Sequence, residues 1–156
     1  MPKIAVFSVI FLPVLYLIFT ATASISSFPS GQIADKFGRK IVLFFSFLSW
    51  ILVCIIFVFI KSFLAVIIAF VLYGLHKGSI DPVQRAFVSE LSPKEYRASA
   101  LGAFQMIIGL FALPASLAAG LLWDKINFNV PFYFSIALSL FSIILLIFVD
   151  EKQINQ

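Results

Sequence analysis

The sequence predicts an all-α polytopic membrane protein with five transmembrane helices, and three observations carry this prediction. Of its 156 residues, 62% are hydrophobic and only 12% are charged, where a soluble domain has about 25% charged residues. No charged residue occurs from Ile4 to Ala34 or from Ile41 to Ile60, and uncharged runs of about 20 residues are long enough to cross a bilayer. These runs do not alternate in polarity, which argues against a β-barrel.

Short polar connections divide the chain into five predicted spans, at approximately residues 4–27, 41–60, 62–88, 98–122 and 130–149. Pro13 is expected to kink the first span. Because the connections are short, consecutive helices are expected to be antiparallel neighbours. A secretory signal is the weaker interpretation of the amino terminus, since the uncharged run is longer than a signal core. Residues 1–156 are therefore predicted to form a single transmembrane domain.

The segment Gly31–Lys40 is a polar island with four charged residues between the first two apolar runs. It is predicted to be a tight polar turn at the membrane surface. With this island on the cytoplasmic side, that side receives Lys36, Arg39, Lys40, Arg85, Lys94, Arg97 and Lys152, and the opposite side receives Lys3, Lys61 and Lys125. Basic residues favour the cytoplasmic face. The island and the carboxyl terminus are thus predicted to be cytoplasmic in a multi-pass protein of the cell membrane.

An internal repeat is the next feature. Gly31-x-x-x-Asp35-Lys36 recurs as Gly120-x-x-x-Asp124-Lys125 at the end of the fourth span. The first and fourth spans are three helices apart and so cross the membrane in opposite directions, which is typical of an inverted repeat of three helices. The first triplet would then lack its leading helix, and the third to fifth spans would form the second triplet. Both repeated spans are rich in small residues, which favour close helix contacts.

The third span carries charge inside the membrane. Lys77, Asp81 and Arg85 are spaced four residues apart and share one helix face, with Tyr73 one turn earlier on the same face. Each such charge costs about 2.5–3.5 kcal/mol at the centre of a bilayer, so these side chains are expected to face protein or water. Pro82, with two nearby glycines, is expected to kink or break this helix.

Two interpretations of this polar face are open. In the first, Tyr73, His76, Lys77 and Asp81 line a solute pathway, and His76 or Asp81 exchanges protons. In the second, Lys77, Asp81 and Arg85 form a structural network that neutralises itself.

The sequence contains no catalytic constellation. It has one histidine, and it lacks a His-x-x-x-His metal motif, a nucleophile elbow and a phosphate-binding loop. No catalytic residue, metal site or cofactor is therefore predicted, and the chain is not expected to be an enzyme. The net charge of +4 is located in short loops, so membrane topology explains it better than nucleic-acid binding. The single cysteine, Cys54, is interpreted as a packing residue.

A known family shares these features. The island meets every fixed position of the pattern Gly-x-x-x-Asp-Arg/Lys-x-Gly-Arg-Arg/Lys, with Gly31, Asp35, Lys36, Gly38, Arg39 and Lys40. In this the chain resembles a transporter of the major facilitator superfamily, in which the pattern marks a cytoplasmic loop. The run from Pro82 to Arg97 is also similar to the family's fourth or tenth helix and the loop after it. The resemblance covers essentially the whole chain.

The resemblance implies an alternating-access carrier of twelve helices in two six-helix halves. This chain would be an incomplete half, best matched to helices eight to twelve, with an origin in the amino-terminal half as the alternative. The implied partners are a small solute, protons, the lipid bilayer, and the missing half or another membrane chain. By position in the family, Asp35 would meet the start of the fourth span around residues 98–102, with Arg85 as its charge partner. These two residues and the rest of the island would form a conformational gate motif.

Two functional hypotheses follow from the sequence. The first is part of a proton-coupled secondary transporter for a small solute, in which both halves are needed to build the cavity. The second is a non-transporting truncated subunit or remnant that packs against a partner membrane protein.

Overall fold

The structure, a computed structural model, describes residues 11–60 and 62–149. Within these ranges the chain forms five α-helices and no strand: α1 Phe11–Phe37, α2 Arg39–Phe59, α3 Phe63–Leu91, α4 Arg97–Lys125 and α5 Val130–Phe148. A short 3₁₀ turn, Lys94–Tyr96, precedes α4. All five helices are long and apolar enough to cross a membrane. The predicted all-α, five-helix membrane fold is confirmed.

The helices extend beyond the apolar runs from which the spans were predicted. α1 continues to Phe37 rather than ending at residue 27, and α4 continues to Lys125 rather than to residue 122. Backbone hydrogen bonding does not stop where the side chains become polar, so a helix can continue into the interface. Residues 4–10 of the first predicted span lie outside the described residues, as do Lys3, Lys61 and Lys152 of the charge count.

The connection between α1 and α2 is a single residue. Gly38 has φ 98° and ψ 152°, and its N–H donates to the carbonyl oxygen of Ala34 at 3.0 Å. This backbone conformation is nearly exclusive to glycine. The prediction of a turn that spans the whole of Gly31–Lys40 is wrong in extent, because most of that island is helical and the charged side chains project from two helix ends.

Helix α3 is the centre of the bundle. It packs against α1 on one side and α2 on another, and α2 in turn packs against α5. At the end that carries Gly31–Lys40, a buried cluster joins the first three helices through Ala34, Val42, Leu43, Ile80 and Val83. This core fixes the position of α3 relative to the gate motif.

Two glycines allow α1 and α3 to approach closely. A Cβ added to Gly78 would lie 2.3 Å from the carbonyl oxygen of Ala23, and one added to Gly74 would lie 2.7 Å from the Cβ of Thr22. Small residues give this kind of contact where no hydrophobic effect drives helices together. The helix is continuous through Pro82, so the predicted break is not found, and the glycines serve packing instead.

Helix α4 is the least packed element. It contacts α3 and α5 but buries none of its residues among those the structure describes. A Cβ added to Gly102, Gly109 or Gly120 would meet nothing within 4 Å. The close contacts expected from small residues are thus made by α1 and are absent from α4 in the described part of the chain.

Candidate functional site

Lys77 and Asp81 form an ion pair on α3, with 2.9 Å between the Lys77 Nζ and an Asp81 carboxylate oxygen. The spacing of four residues places both side chains on one helix face, as predicted. Their side chains are 47% and 42% exposed, so the pair lies on an open side of α3 rather than inside a helix contact. We call these two residues the α3 charge pair.

Arg85 does not extend this pair into the three-membered network of the second interpretation. Its side chain is exposed, and it takes part in none of the ion pairs among residues 11–60 and 62–149. Asp81 supplies the only carboxylate on this face, and that carboxylate is already engaged by Lys77.

His76 faces α2, about 100° around the helix from Lys77. Its Nδ1 lies 2.8 Å from the carbonyl oxygen of Ser46, and the Ser46 hydroxyl donates to the His76 carbonyl oxygen at 3.0 Å. The imidazole also stacks on the Trp50 ring, with 5.3 Å between centroids. A pathway role for His76 stays a prediction, and its observed contacts are those of a residue that joins two helices.

Tyr73 belongs to an aromatic cluster between α1, α2 and α3. Its ring stacks on Phe19 of α1 at 4.6 Å and lies 5.3 Å from Trp50 of α2. The Trp50 Nε1–H donates to the hydroxyl of Ser135 at 2.8 Å, which ties α2 to α5. Tyr73 therefore shares the helix face of Lys77 but contacts the neighbouring helices through its ring.

Replacing Ser46 with alanine is expected to destabilise the α2–α3 contact. The substitution removes a hydroxyl that lies between the backbone and ring of His76, and a lost hydrogen bond of this kind costs about 0.5–1.5 kcal/mol. The matched control is Ser49→Ala, because within the described part of the chain the Ser49 hydroxyl bonds to Phe45 of its own helix and to no other helix. Unfolding in a detergent series would measure the difference. Equal stabilities for the two variants would show that the Ser46 hydroxyl contributes nothing to the α2–α3 contact.

A second charged cluster joins α1, α2 and α3 at one end of the bundle. The Arg39 guanidinium lies 2.6 Å from a carboxylate oxygen of Asp35 and donates to both carboxylate oxygens of Glu90. The Arg39 side chain is only 13% exposed, whereas Glu90 is 33% and Asp35 is 66% exposed. We call Asp35, Arg39 and Glu90 the charged triad. The Arg39–Glu90 ion pair is expected to contribute more to stability than the Arg39–Asp35 pair, because water screens the exposed Asp35 carboxylate.

The predicted contact between Asp35 and Arg85 is not made in this structure. Arg39 follows Gly38 at the start of α2, four positions after Asp35, and its guanidinium occupies the Asp35 carboxylate instead of Arg85. Arg85 lies five residues before Glu90, which is about 140° around the helix, so it points away from the triad. The start of α4 is equally out of reach, since α1 and α4 are not neighbours among the described residues.

The remaining residues of the predicted gate motif lie on the same helix ends as the triad. Gly31 is half-buried on α1 with open space at its Cα, and the Lys36 ammonium lies 5.3 Å from the Phe37 ring centroid. The Lys40 ammonium donates to the carbonyl oxygen of Ile147 on α5 at 3.2 Å.

Sequence reasoning did not assign Glu90 a role in the site. Two features of the sequence could have identified it. Glu90 is an acidic residue at the end of a membrane-crossing helix, and the predicted topology places that end on the same side of the membrane as Arg39 and Lys40. Only the packing of α2 against α3 shows which of those residues it contacts.

Known proteins that are similar in sequence to this chain include membrane transporters. An uncharacterized MFS-type transporter of Methanocaldococcus jannaschii is 41% identical over 147 residues, which is 94% of this chain and 36% of that protein. A tetracycline resistance protein, class H, of Pasteurella multocida is 29% identical over 79% of this chain and 30% of its own length. A plastidic glucose transporter 4 of Arabidopsis thaliana is 29% identical over 77% of this chain and 23% of its own length.

The chain thus spans about a third or less of the length of these relatives. A sequence profile of the Major Facilitator Superfamily matches residues 4–156, which include every helix described above. With this match, the five apolar helices and the loop motif at Gly31–Lys40, the chain belongs to the Major Facilitator Superfamily.

Proposed function

We propose that the protein is part of a secondary active transporter that moves a small solute across the membrane by alternating access, coupled to protons. The observation that carries this proposal is the α3 charge pair. Lys77 and Asp81 lie within a helix long enough to cross the bilayer, yet both side chains are nearly half exposed. Charge at that depth has to face water, a polar ligand or another polar part of the protein, and a solute pathway supplies such surroundings.

An ion pair in this position can respond to a ligand. A proton on Asp81 removes its negative charge and releases the Lys77 ammonium, and a polar or anionic solute can then take the place of the carboxylate. Because the two charges attract each other more strongly in a low dielectric than in water, the exchange occurs most readily where the pathway admits water. Tyr73 and His76, the neighbours of the pair on α3, are proposed to shape this part of the pathway.

The gate motif is proposed to control the change of conformation. The charged triad links the ends of α1, α2 and α3 through its ion pairs. Lys36, Lys40 and Gly31 lie on the same ends of α1 and α2 as the triad, and Arg85 is exposed on α3. These residues are proposed to engage the other half of the transporter in one of its states. An inward-facing and an outward-facing state would then differ in which surface these charges contact.

The membrane location is proposed from the charge distribution. The basic residues around Gly31–Lys40 favour a cytoplasmic position for this loop and for the carboxyl terminus, in the cell membrane. The relatives are named for different molecules, tetracycline in one and glucose in another. The shared features therefore support the transport cycle rather than one particular solute.

Asp81→Asn is expected to reduce uptake by the full-length protein by about tenfold or more. The amide cannot take up or release a proton, and it loses a charged hydrogen bond worth about 1.5–3 kcal/mol. The matched control is Asp124→Asn, at an exposed acid on the end of α4 that forms no ion pair with any described residue. Uptake into proteoliposomes, measured across a range of pH, tests both variants.

A wild-type uptake rate with an unchanged pH dependence in Asp81→Asn would refute the proton role of this residue. His76→Ala in the same assay tests the histidine: an altered pH profile supports its proposed place in the pathway, whereas a loss of stability alone supports the packing role seen in the structure.

A second candidate function is that of a non-transporting membrane subunit that packs against another membrane protein. The observation that favours it is α4, which leaves large apolar side chains exposed from Met106 to Trp123. If this candidate is correct, the protein forms a stable complex on co-expression with its partner and shows no uptake in liposomes. Uptake that depends on Asp81 would exclude it.

A further inference from the structure

A shallow apolar groove runs between α2 and α5 at the end of the bundle that carries the gate motif. It has a volume of about 530 Å³, and its walls are formed by Ile41, Phe44, Phe45, Ile143, Leu146 and Ile147. The groove is separate from the α3 charge pair, since no residue of α3 lines it. It therefore has no part in the solute pathway proposed above.

The groove opens toward the outside of the bundle. Phe45 and Ile147, on its two walls, are 61% and 69% exposed. Where no other helix covers them, exposed apolar side chains on membrane-crossing helices contact lipid tails, which are as apolar as leucine. An aliphatic chain binds better in such a groove than on the flat helix faces around it, because a concave apolar wall makes more van der Waals contacts with each unit of chain length.

One positively charged side chain, that of Lys40, lies at the end of this apolar groove. Lys40 lines it, and its ammonium donates one hydrogen bond to the carbonyl oxygen of Ile147 in the last turn of α5. An ammonium has three donors, so this bond holds the side chain at the groove and leaves two donors for a ligand. Lys40 directly precedes the uncharged run of α2. A long basic side chain in this position extends to the depth of the lipid headgroups.

The combination of an aliphatic slot and a cation at its polar end matches one class of molecule. We propose that the α2–α5 groove holds one anionic phospholipid, with an acyl chain along Phe44, Phe45 and Ile147 and the headgroup phosphate on Lys40. Basic pockets between membrane helices recognise anionic headgroups in this way. A free anion would gain nothing from the apolar walls, and a neutral apolar chain would gain nothing from the ammonium. The inference rests on the membrane location of the helices and stands whether or not the proposed transport function is correct.

The experiment measures lipid retained by the full-length protein from nanodiscs made of equal parts phosphatidylglycerol and phosphatidylcholine. Native mass spectrometry counts the bound molecules of each. The wild-type protein is expected to retain phosphatidylglycerol in preference, and Lys40→Gln is expected to lower that preference about fivefold, since one basic residue is lost from the headgroup site. The matched control is Lys94→Gln, an exposed lysine on the 3₁₀ turn before α4 and outside the groove, which is expected to retain the wild-type preference.

A second variant tests the apolar part of the site. Ile147→Trp fills the groove without a change of charge, and it is expected to reduce retention of both lipids at this site. Excess inorganic phosphate is expected not to displace the bound lipid, because the acyl chain also holds it. An unchanged lipid preference in Lys40→Gln, an equal loss in Lys94→Gln, or release of the lipid by phosphate would each overturn the proposal.

Discussion

Gly78→Leu is expected to separate α1 from α3 and to prevent the bundle from reaching its native packing. Even a single added Cβ would lie 2.3 Å from both the carbonyl oxygen of Ala23 and the hydroxyl oxygen of Ser26. The carbonyl belongs to the backbone of α1 and cannot rotate away, so the whole helix must shift. Overpacking costs about 1–3 kcal/mol for small insertions, and the leucine side chain adds three more carbon atoms to the same contact.

The consequence of that shift extends beyond the contact itself. α1 carries Asp35 and the Ser30 hydroxyl that lies 2.7 Å from Ser79, so displacement of α1 also disrupts the charged triad and this hydrogen bond. Gly78→Ala is expected to show the same effect at smaller magnitude. Unfolding of the 156-residue chain by sodium dodecyl sulfate in mixed micelles, followed by circular dichroism, provides the measurement.

Gly102→Ala is the matched control for this prediction. An added Cβ there meets nothing within 4 Å, and alanine is favoured over glycine in a helix by about 0.5–1 kcal/mol. This variant is therefore expected to unfold at the same or a higher detergent fraction than the wild type. If Gly78→Leu and Gly102→Ala behave alike, the close approach of α1 to α3 is not a source of stability.

Arg39→Ala is expected to destabilise the end of the bundle by about 2 kcal/mol, because it leaves Glu90 without the partner that neutralises it. Glu90 is only one-third exposed, so water replaces the guanidinium incompletely. The exposed Asp35 contributes less, since a surface ion pair is worth about 0–1 kcal/mol. The loss is expected to be visible as earlier unfolding in the same detergent titration.

A double-mutant cycle separates the Arg39–Glu90 interaction from other effects of the substitutions. The combination of Arg39→Ala with Glu90→Ala is expected to be less destabilising than the sum of the single variants by about 1–2 kcal/mol. Lys36→Ala is the control, since Lys36 is exposed and forms no ion pair with a described residue. Strict additivity of the two single variants would mean that the ion pair has no net stabilising effect.

These two predictions concern one helix. α3 contacts α1 through its glycines, α2 through His76, and the gate motif through Glu90, while the α3 charge pair remains on its open side. Glu90 comes thirteen positions after Lys77, which corresponds to roughly 20 Å along a helix. Because one helix carries Lys77, Asp81 and Glu90, we expect a shift of α3 at the proposed solute site to move the Glu90 carboxylate of the charged triad as well.

The number and type of helices were predictable from the sequence, because the length of an uncharged run sets whether it can cross a bilayer. The pairing of Lys77 with Asp81 was predictable for a similar reason, since a spacing of four residues places two side chains together whatever the tertiary packing. The glycine at position 38 was recognised only as part of a motif. Its positive φ explains why that position of the loop is a glycine.

The remaining features depend on which helices become neighbours, and no local pattern contains that information. Gly74 and Gly78 were interpreted as weak points of α3, because a glycine has the same local signature in a kink as in a close contact. Their spacing of four residues is typical of helix contacts and was the signal that could have identified them. His76 was interpreted as a residue of the solute pathway, and its hydrogen bonds to Ser46 are visible only once α2 is in place.

The amino-acid sequence by itself determined the five membrane-crossing helices of the described residues and the placement of charge on the third helix and at the turn between the first two. Both properties follow from interactions within one helix or between the chain and the bilayer. Only the tertiary structure decided the partners of those charges: Arg39 lies between Asp35 and Glu90, and Arg85 lies apart from them. The physical reason is that α1, α2 and α3 converge at one end, so the crossing of the helices, rather than spacing along one of them, selects which side chains meet.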